Sequence, residues 1–451
     1  MNNNVNVRKI AYKVLHKVLY EGAYSSLAIN SAVHENELDT RDASFLSSIV
    51  YGVLEQKLLL EYILNQYSKR KAETLDDKTY LILLVGLYQL LFMDKVPDNA
   101  AVNESVKLSK KVGAFSSSGF INAVLRNVVR NDKKYSLPDK NDDFLYYLSV
   151  RYSCPKEIVS MWINDYGKDK TIEILKSLCG RPPLTIRVNN LKTNKEKLIK
   201  DLKNSAIKVT EIPFLDNALN IENTGSVEKI PQYQHGDFYI QDCASQLCCE
   251  ILNAQPEDKV CDVCAAPGGK SFYCAIKMNN IGEIYSYDIF EHKIKLINAM
   301  TRHLGITCIS AKIRDAADKS ADLPECNKLL CDVPCSGLGI IRRKPEIRYK
   351  KDINIDLLTK LQYSILCENA EKVSIGSVIV YSTCTLNKKE NNDIVRRFLN
   401  EHKDFAPEPI ILPNGMERFI DEDENVFTLL PFRYNTDGFF VAKFKRVGFY
   451  G

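Results

Sequence analysis

Hydrophobic positions recur at helical spacing from the start of the chain. Val7, Ile10, Ala11, Val14, Leu15 and Val18 share one face over residues 7–19. Phe45, Ile49, Val50, Val53 and Leu54 do the same over residues 44–66, with Asp39 and Thr40 as N-cap candidates before them. Two further helices are predicted near residues 77–93 and 100–112, and Phe120, Ile121, Val124, Leu125 and Val128 mark another apolar face. No strand signal interrupts this stretch, so the first 130 or so residues predict an all-α bundle. Residues 131–143 are polar, contain Pro138, and predict a linker. The pattern is then mixed: a helix near 155–166 carries the single tryptophan, Trp162, and Leu184, Ile186 and Val188 alternate as in a strand. A charged amphipathic helix over 191–202 and a strand over 208–212 complete a small α+β module. From Gln241 onward strands and helices alternate, with strands expected at 258–263, 283–288, 307–313, 328–333 and 377–383, then a hairpin near 427–445 turned at Asp437-Gly438. That alternation predicts a doubly wound α/β domain with an antiparallel finish. The expected organisation is multidomain: 1–135 helical, 144–235 the small module, 236–451 the α/β domain.

Composition narrows the class only slightly. A net charge of +4 over 451 residues is mildly basic, and nucleic-acid binding depends more on clustering than on the total. The 14 cysteines show no spacing of a short secreted framework, which predicts reduced thiols in a cytoplasmic protein. Cys248, Cys261, Cys308 and Cys331 read as small core hydrophobes. Cys261-x-x-Cys264 has no second pair and the chain has six histidines, so no metal site is expected. The most apolar stretch, residues 80–92, is shorter than the ~20 residues that span a bilayer, so no membrane role is expected.

The first candidate site is the string Val260-Cys261-Asp262-Val263-Cys264-Ala265-Ala266-Pro267-Gly268-Gly269-Lys270-Ser271, a strand running through a small-residue turn into a helix. Small residues allow a ligand close to the backbone. Gly269-Lys270-Ser271 imitates the end of a phosphate-binding loop, but that motif needs a glycine where Cys264 stands, and no Gly-x-Gly-x-x-Gly spacing is present. Asp288 lies 20 positions past Gly268 at the end of the next expected strand; Asp315 and Asp332 end the two after it. A structural cap explains any one strand-end aspartate. Three in register with the turn suit a nucleoside without phosphate, and S-adenosylmethionine fits.

The second candidate site is a pair of cysteines, Cys335 in Asp332-Val333-Pro334-Cys335-Ser336-Gly337 and Cys384 in Ser382-Thr383-Cys384-Thr385, each just past an expected buried strand. Two cysteines at strand ends suggest one thiolate that attacks and one thiol that moves a proton. Spacing leaves open which is which. Directly after the first cysteine, Arg342, Arg343, Lys344, Arg348, Lys350 and Lys351 make six basic residues within ten, expected as an electrostatic track for a phosphate backbone.

Several stretches resemble known families. Pro97-Asp98-Asn99-Ala100-Ala101-Val102-Asn103-Glu104 and Phe120-Ile121-Asn122-Ala123-Val124-Leu125-Arg126 resemble the NusB-type RNA-binding helical domain, and Arg181–Asn189 resembles the linker domain of RNA cytosine methyltransferases. The α/β part resembles the class I S-adenosylmethionine-dependent (Rossmann-like) methyltransferases, and Cys264-Ala265-Ala266-Pro267-Gly268-Gly269-Lys270 resembles their RNA cytosine-C5 branch. With both cysteine motifs and Thr436-Asp437-Gly438-Phe439-Phe440, nearly the whole chain resembles the bacterial 16S rRNA cytosine-C5 methyltransferases of the RsmB/Sun/Fmu type. This resemblance implies methylation of C5 of a 16S rRNA cytosine (cytosine 967 for the family) through a covalent adduct at C6. It implies that Cys384 attacks, that Cys335 assists proton removal and product release, and that Asp332 is the acid near N3. Residues 264–270, Asp288, Asp315 and Asp332 would hold S-adenosylmethionine, and Arg342, Arg343, Lys344 and Arg348 would meet RNA. The expected partner is 16S rRNA, naked or in an early particle, with no obligate protein partner. The rival readings are the same reaction on tRNA, and an inert RNA-binding assembly or transcription factor.

Overall fold

The structure, a computed structural model, describes residues 6–350, 354–420 and 422–448. It divides into two compact units, residues 1–180 with 341–352, and residues 181–340 with 353–451.

The first unit is helical. Its helices are Val7–Tyr20, Ser25–Glu35, Thr40–Tyr67, Asp77–Phe92, Asp98–Lys111, Ser118–Arg130, Phe144–Arg151, Lys156–Tyr166 and Lys168–Ser177. Asp39 caps the third by accepting from the Asp42 amide, and Asp76 caps the fourth by accepting from Thr79. The helix Asp77–Phe92 is the bundle's axis: Leu81, Ile82, Leu83, Leu84, Val85 and Leu87 are all fully buried. A helix apolar all round must be enclosed on every side. Ser25–Glu35 has no clean apolar stripe, and the hydrophobic pattern did not predict it.

Residues 341–352 belong to this unit, although they follow Cys335 in sequence. Pro345–Tyr349 forms one tight turn whose first four residues are buried. The Glu346 carboxylate accepts from the Ser25 amide (3.0 Å) and Ser25 hydroxyl (2.8 Å). Arg348 Nη1 donates to the Ser153 carbonyl at 3.0 Å, and Tyr349 donates to the Leu54 carbonyl at 2.9 Å.

The middle segment expected over 144–235 is divided between the units. Its first three helices, Phe144–Arg151, Lys156–Tyr166 and Lys168–Ser177, pack in the first, where Val150 joins Leu59 and Ile63. Its strands β1 (Leu184–Val188), β2 (Lys208–Glu211), β3 (Ala218–Glu222) and β4 (Phe238–Ile240) form an antiparallel sheet in the second, in the order β2-β3-β1-β4. The helix Lys195–Asn204 contributes Leu198 and Leu202 to a core with Ile186, Val188, Leu219, Ile221 and Phe238.

The same unit holds the large sheet: β5 (Lys259–Asp262), β6 (Glu283–Asp288), β7 (Ile309–Ile313), β8 (Lys328–Asp332), β9 (Val378–Thr383), β10 (Phe405–Pro407), β11 (Val426–Leu429) and β12 (Phe439–Arg446). Its order is β10-β12-β9-β8-β5-β6-β7, with β11 paired to β12. Strands β5 to β9 are parallel and β12 runs antiparallel to β9. The chain winds from β5 outward through β6 to β7, then returns to β8 on the other side of β5. Ligands of such sheets bind where the order reverses, outside the carboxyl ends of the strands. The expected terminal hairpin is present, but a short helix, Pro431–Tyr434, lies between β11 and β12, and Asp437-Gly438 leads directly into β12 rather than forming a tight turn.

Candidate active site

Register brings the two thiols together. Strands β8 and β9 are adjacent and parallel, with Asp332 opposite Ser382. Cys335 lies three residues past Asp332 and Cys384 two past Ser382, so both emerge at one level above the sheet. Their sulfurs are 3.1 Å apart. Both are partly accessible, whereas Cys248, Cys261 and Cys331 are buried in the core and Cys308 is half-buried. All 14 cysteines are free of disulfides.

Backbone contacts lock the two loops. The Gly339 amide donates to the Cys384 carbonyl at 2.9 Å, and the Gly438 amide to the Gly339 carbonyl at 2.8 Å. A Cβ at Gly339 would overlap the Gly438 carbonyl and stand 2.8 Å from the Cys384 carbonyl oxygen, so the approach requires glycine. The buried Glu390, which sequence reasoning passed over, accepts from Ser336, Gln362 and Asn387. The Cys335 thiol is raised well above its ordinary pKa, first by the hydrogen bond with Cys384, then by burial, then by the charges of Cys384 and Glu390.

Asp332 is held on both oxygens: Lys270 Nζ stands 2.5 Å from Oδ2, and the Ser382 hydroxyl donates to Oδ1 at 2.7 Å. Burial pulls the Lys270 ammonium down, but the Asp332 carboxylate outweighs it and leaves Lys270 above its ordinary value. The pair joins the turn after β5 to the end of β8, across the point where the strand order reverses.

The turn itself is closed by the Gly268 amide donating to the Ala265 carbonyl (2.7 Å), and Ala265 N donates to Tyr287 O on β6 (2.8 Å). Gly268 has φ +108°, and a Cβ there would collide with the Phe272 ring, so only glycine serves. The helix Gly269–Lys277 starts immediately after. Beneath it Ser286 donates to Ser271, and Ser271 to Asp262 Oδ2, both at 2.7 Å. Burial pushes the Asp262 carboxyl up to about 7, against the Ser271 hydrogen bond and with help from Asp332. Asp262 stood inside the quoted string without a role; its strand-end position was the signal. Asp288 is nearly buried at the end of β6, accepting from Phe290 N at 3.3 Å and facing Lys293 at 3.3 Å. Asp315 is exposed and caps its own turn by accepting from Ala317 N at 2.9 Å.

This donor set fits S-adenosylmethionine. Carboxylates end β5, β6 and β8, and Asp262 Oδ1 is buried without a hydrogen-bond partner. An acidic rim suits a cationic sulfonium and ammonium, and a helix N-terminus beside Lys270 suits the carboxylate.

The basic run is placed differently from expectation. Arg348 is 4% exposed, and its guanidinium meets backbone carbonyls inside the helical unit. A buried arginine so engaged does not meet phosphate. Arg342 and Arg343 are half-buried, and Arg342 Nε donates to Gly180 O at 3.2 Å. Lys344 and Lys350 lie 4.8 and 4.2 Å from the Tyr24 ring centre. Lys351 lies outside the described residues. Among the described residues no three His, Cys, Asp or Glu side chains cluster as a metal site, and no helix is long and apolar enough to cross a membrane.

The sheet order, the turn after β5 and the strand-end acids define an S-adenosylmethionine-dependent methyltransferase. Comparison with known proteins agrees along the chain. Residues 5–130 match the NusB family, 154–228 the ferredoxin-like domain of RsmF/B-like methyltransferases, and 249–445 the 16S rRNA methyltransferase RsmB/F family. The probable ribosomal RNA small subunit methyltransferase B of Bacillus subtilis is 34% identical over 98% of this chain and 99% of its own. That of Synechocystis is 31% identical over 98% and 100%. The chain belongs to the ribosomal RNA small subunit methyltransferase B family. Among solved structures, PH0851 superposes with a TM-score of 0.82 at 24% identity, over 98% of this chain and 99% of that one. A methyltransferase homologue from Pyrococcus horikoshii gives 0.60 at 26%, over 68% and 99%.

Proposed function

We propose that this protein methylates C5 of a cytosine in 16S rRNA through a transient bond between Cys384 and C6 of the base. The observation that carries the reading is the 3.1 Å approach of Cys335 and Cys384 at the ends of neighbouring parallel strands. When bound, S-adenosylmethionine supplies an electrophilic methyl group. C5 of cytosine is a poor nucleophile until a thiolate adds to C6, which moves the C5–C6 π electrons onto C5. Cys384 is assigned that attack because Thr383-Cys384 stands beside Pro334-Cys335, and in the RNA cytosine-C5 branch that the chain resembles the Thr-Cys cysteine attacks. Asp332, its charge held by Lys270, is assigned to the N3 edge. After methylation a base removes the C5 proton, the C5–C6 double bond re-forms, and the bond to Cys384 breaks. Cys335, 3.1 Å from the Cys384 sulfur, is assigned to product release by assisting that proton removal. The target base must leave its stack to reach both sulfurs.

Residues 264–270, Asp288, Asp315 and Asp332 are assigned to the cofactor, and Arg342, Arg343 and Lys344 to RNA; Arg348 is withdrawn. The family's fused NusB domain favours ribosomal RNA over tRNA, and a cytoplasmic location follows from that substrate. The test is methyl transfer from labelled S-adenosylmethionine to deproteinised 16S rRNA and to tRNA, with bisulfite mapping of the product. Label on tRNA alone overturns the substrate assignment. Label on neither favours an RNA-binding assembly factor.

A further inference from the structure

Glu390 stands seven residues past the end of β9, fully buried, just before the helix Asn392–Glu401. Its Oε1 accepts from the Ser336 amide (2.8 Å) and Gln362 Nε2 (2.9 Å). Its Oε2 accepts from the Ser336 hydroxyl (2.6 Å) and Asn387 Nδ2 (3.1 Å). Four donors on two oxygens match an ionised carboxylate, which accepts only. The network reaches both cysteine loops. Ser336 follows Cys335, and its hydroxyl lies 2.8 Å from that of Thr385, which follows Cys384. Gln362 also donates to the Pro334 carbonyl, on the other side of Cys335, at 2.9 Å.

We propose that Glu390 is the positioning residue of the thiol pair, holding the Cys335 loop so that its sulfur faces that of Cys384. The proposal rests on the two-thiol reading above. These four donors are neutral amides and hydroxyls. A buried anion held by neutral donors is a costly way to stabilise a loop, because desolvation is not offset by an opposite charge. Its charge has an effect that a glutamine would not reproduce: it opposes ionisation of Cys335.

The test is Glu390→Gln, which sets an amide NH2 against two donors and breaks at least two of the four hydrogen bonds. Labelled methyl transfer, S-adenosylmethionine binding by calorimetry, and denaturant-resistant protein–RNA adduct are measured together. The expected result is kcat lowered about 100-fold, the scale of a 1 Å misplacement, with KM for rRNA and cofactor affinity changed less than about twofold. Methylated adduct accumulates as in Cys335→Ala, and Glu390→Gln added to Cys335→Ala changes nothing further. If Glu390→Gln does not fold, Ser336→Ala, which keeps the amide link and loses the hydroxyl, is expected to show the same pattern more weakly. Adduct in Cys335→Ala but none in either Glu390→Gln or Ser336→Ala overturns the role of Glu390. No adduct in any of the three overturns the two-thiol reading itself.

Discussion

Lys270→Met tests the electrostatic frame of the site. The substitution keeps the length and apolar stem of the side chain and removes its ammonium. In the native protein that ammonium sits 2.5 Å from Asp332, with the two side chains 11% and 27% exposed. Removing one partner of a buried pair costs about 3–5 kcal/mol, chiefly because the other charge is left without compensation. Asp332 retains the Ser382 hydroxyl and about a quarter of its surface in water, so the expected loss is nearer ~2–3 kcal/mol. Because Lys270 is held above its ordinary value, the stabilisation is fully present below that value and is lost only as pH climbs through the raised one. The loss should therefore be the same throughout the neutral range. Urea unfolding followed by circular dichroism should show the transition shifted to lower urea. Lys270→Met with Asp332→Asn should recover most of the loss, since both charges are gone. A loss under about 0.5 kcal/mol, the range of ordinary surface changes, would refute a charged, desolvated pair. So would a double variant no more stable than Lys270→Met.

Three further outcomes are expected. Cys335→Ala should accumulate a covalent protein–RNA adduct, resolved by denaturing gel, and Cys384→Ala should form none; the opposite pattern exchanges their roles. Gly339→Ala should destabilise the α/β unit by about 1–3 kcal/mol by overpacking and abolish methyl transfer, because its Cβ would meet the Gly438 and Cys384 carbonyls; unchanged turnover would show that the cysteine loops tolerate separation. Asp262, raised to about 7, keeps a proton in the folded state that the unfolded chain releases near pH 4. Its contribution is therefore complete below the ordinary value and falls by ~1.4 kcal/mol per pH unit up to about 7, some ~4 kcal/mol in all. Asp262→Asn should flatten that decline in urea unfolding measured from pH 5 to 8, and parallel slopes for the two proteins would count against it.

Local pattern was enough for the elements with strong periodicity: the helices at 7–20, 40–67 and 77–92, and the parallel strands β5, β6, β8 and β9, all show their burial in their own residues. It was also enough for the turn after β5, because a small-residue string between strand and helix is a local feature. Ser25–Glu35, β3 and β4 lack a marked apolar period and form because neighbours cover them. Tertiary structure alone decided what the site consists of. The approach of Cys335 to Cys384 depends on β8 lying beside β9 in the register Asp332 to Ser382, and strand order is not written in either strand. Glu390 carries no motif of its own; four donors from three separate stretches give it a place. The basic run shows the limit from the other side. Charge along the chain suggested a track for phosphate, yet Glu346 and Arg348 turn inward to satisfy Ser25 and Ser153. A sequence specifies which groups are charged, whereas burial and hydrogen-bond partners, fixed only when distant segments meet, determine what those charges do.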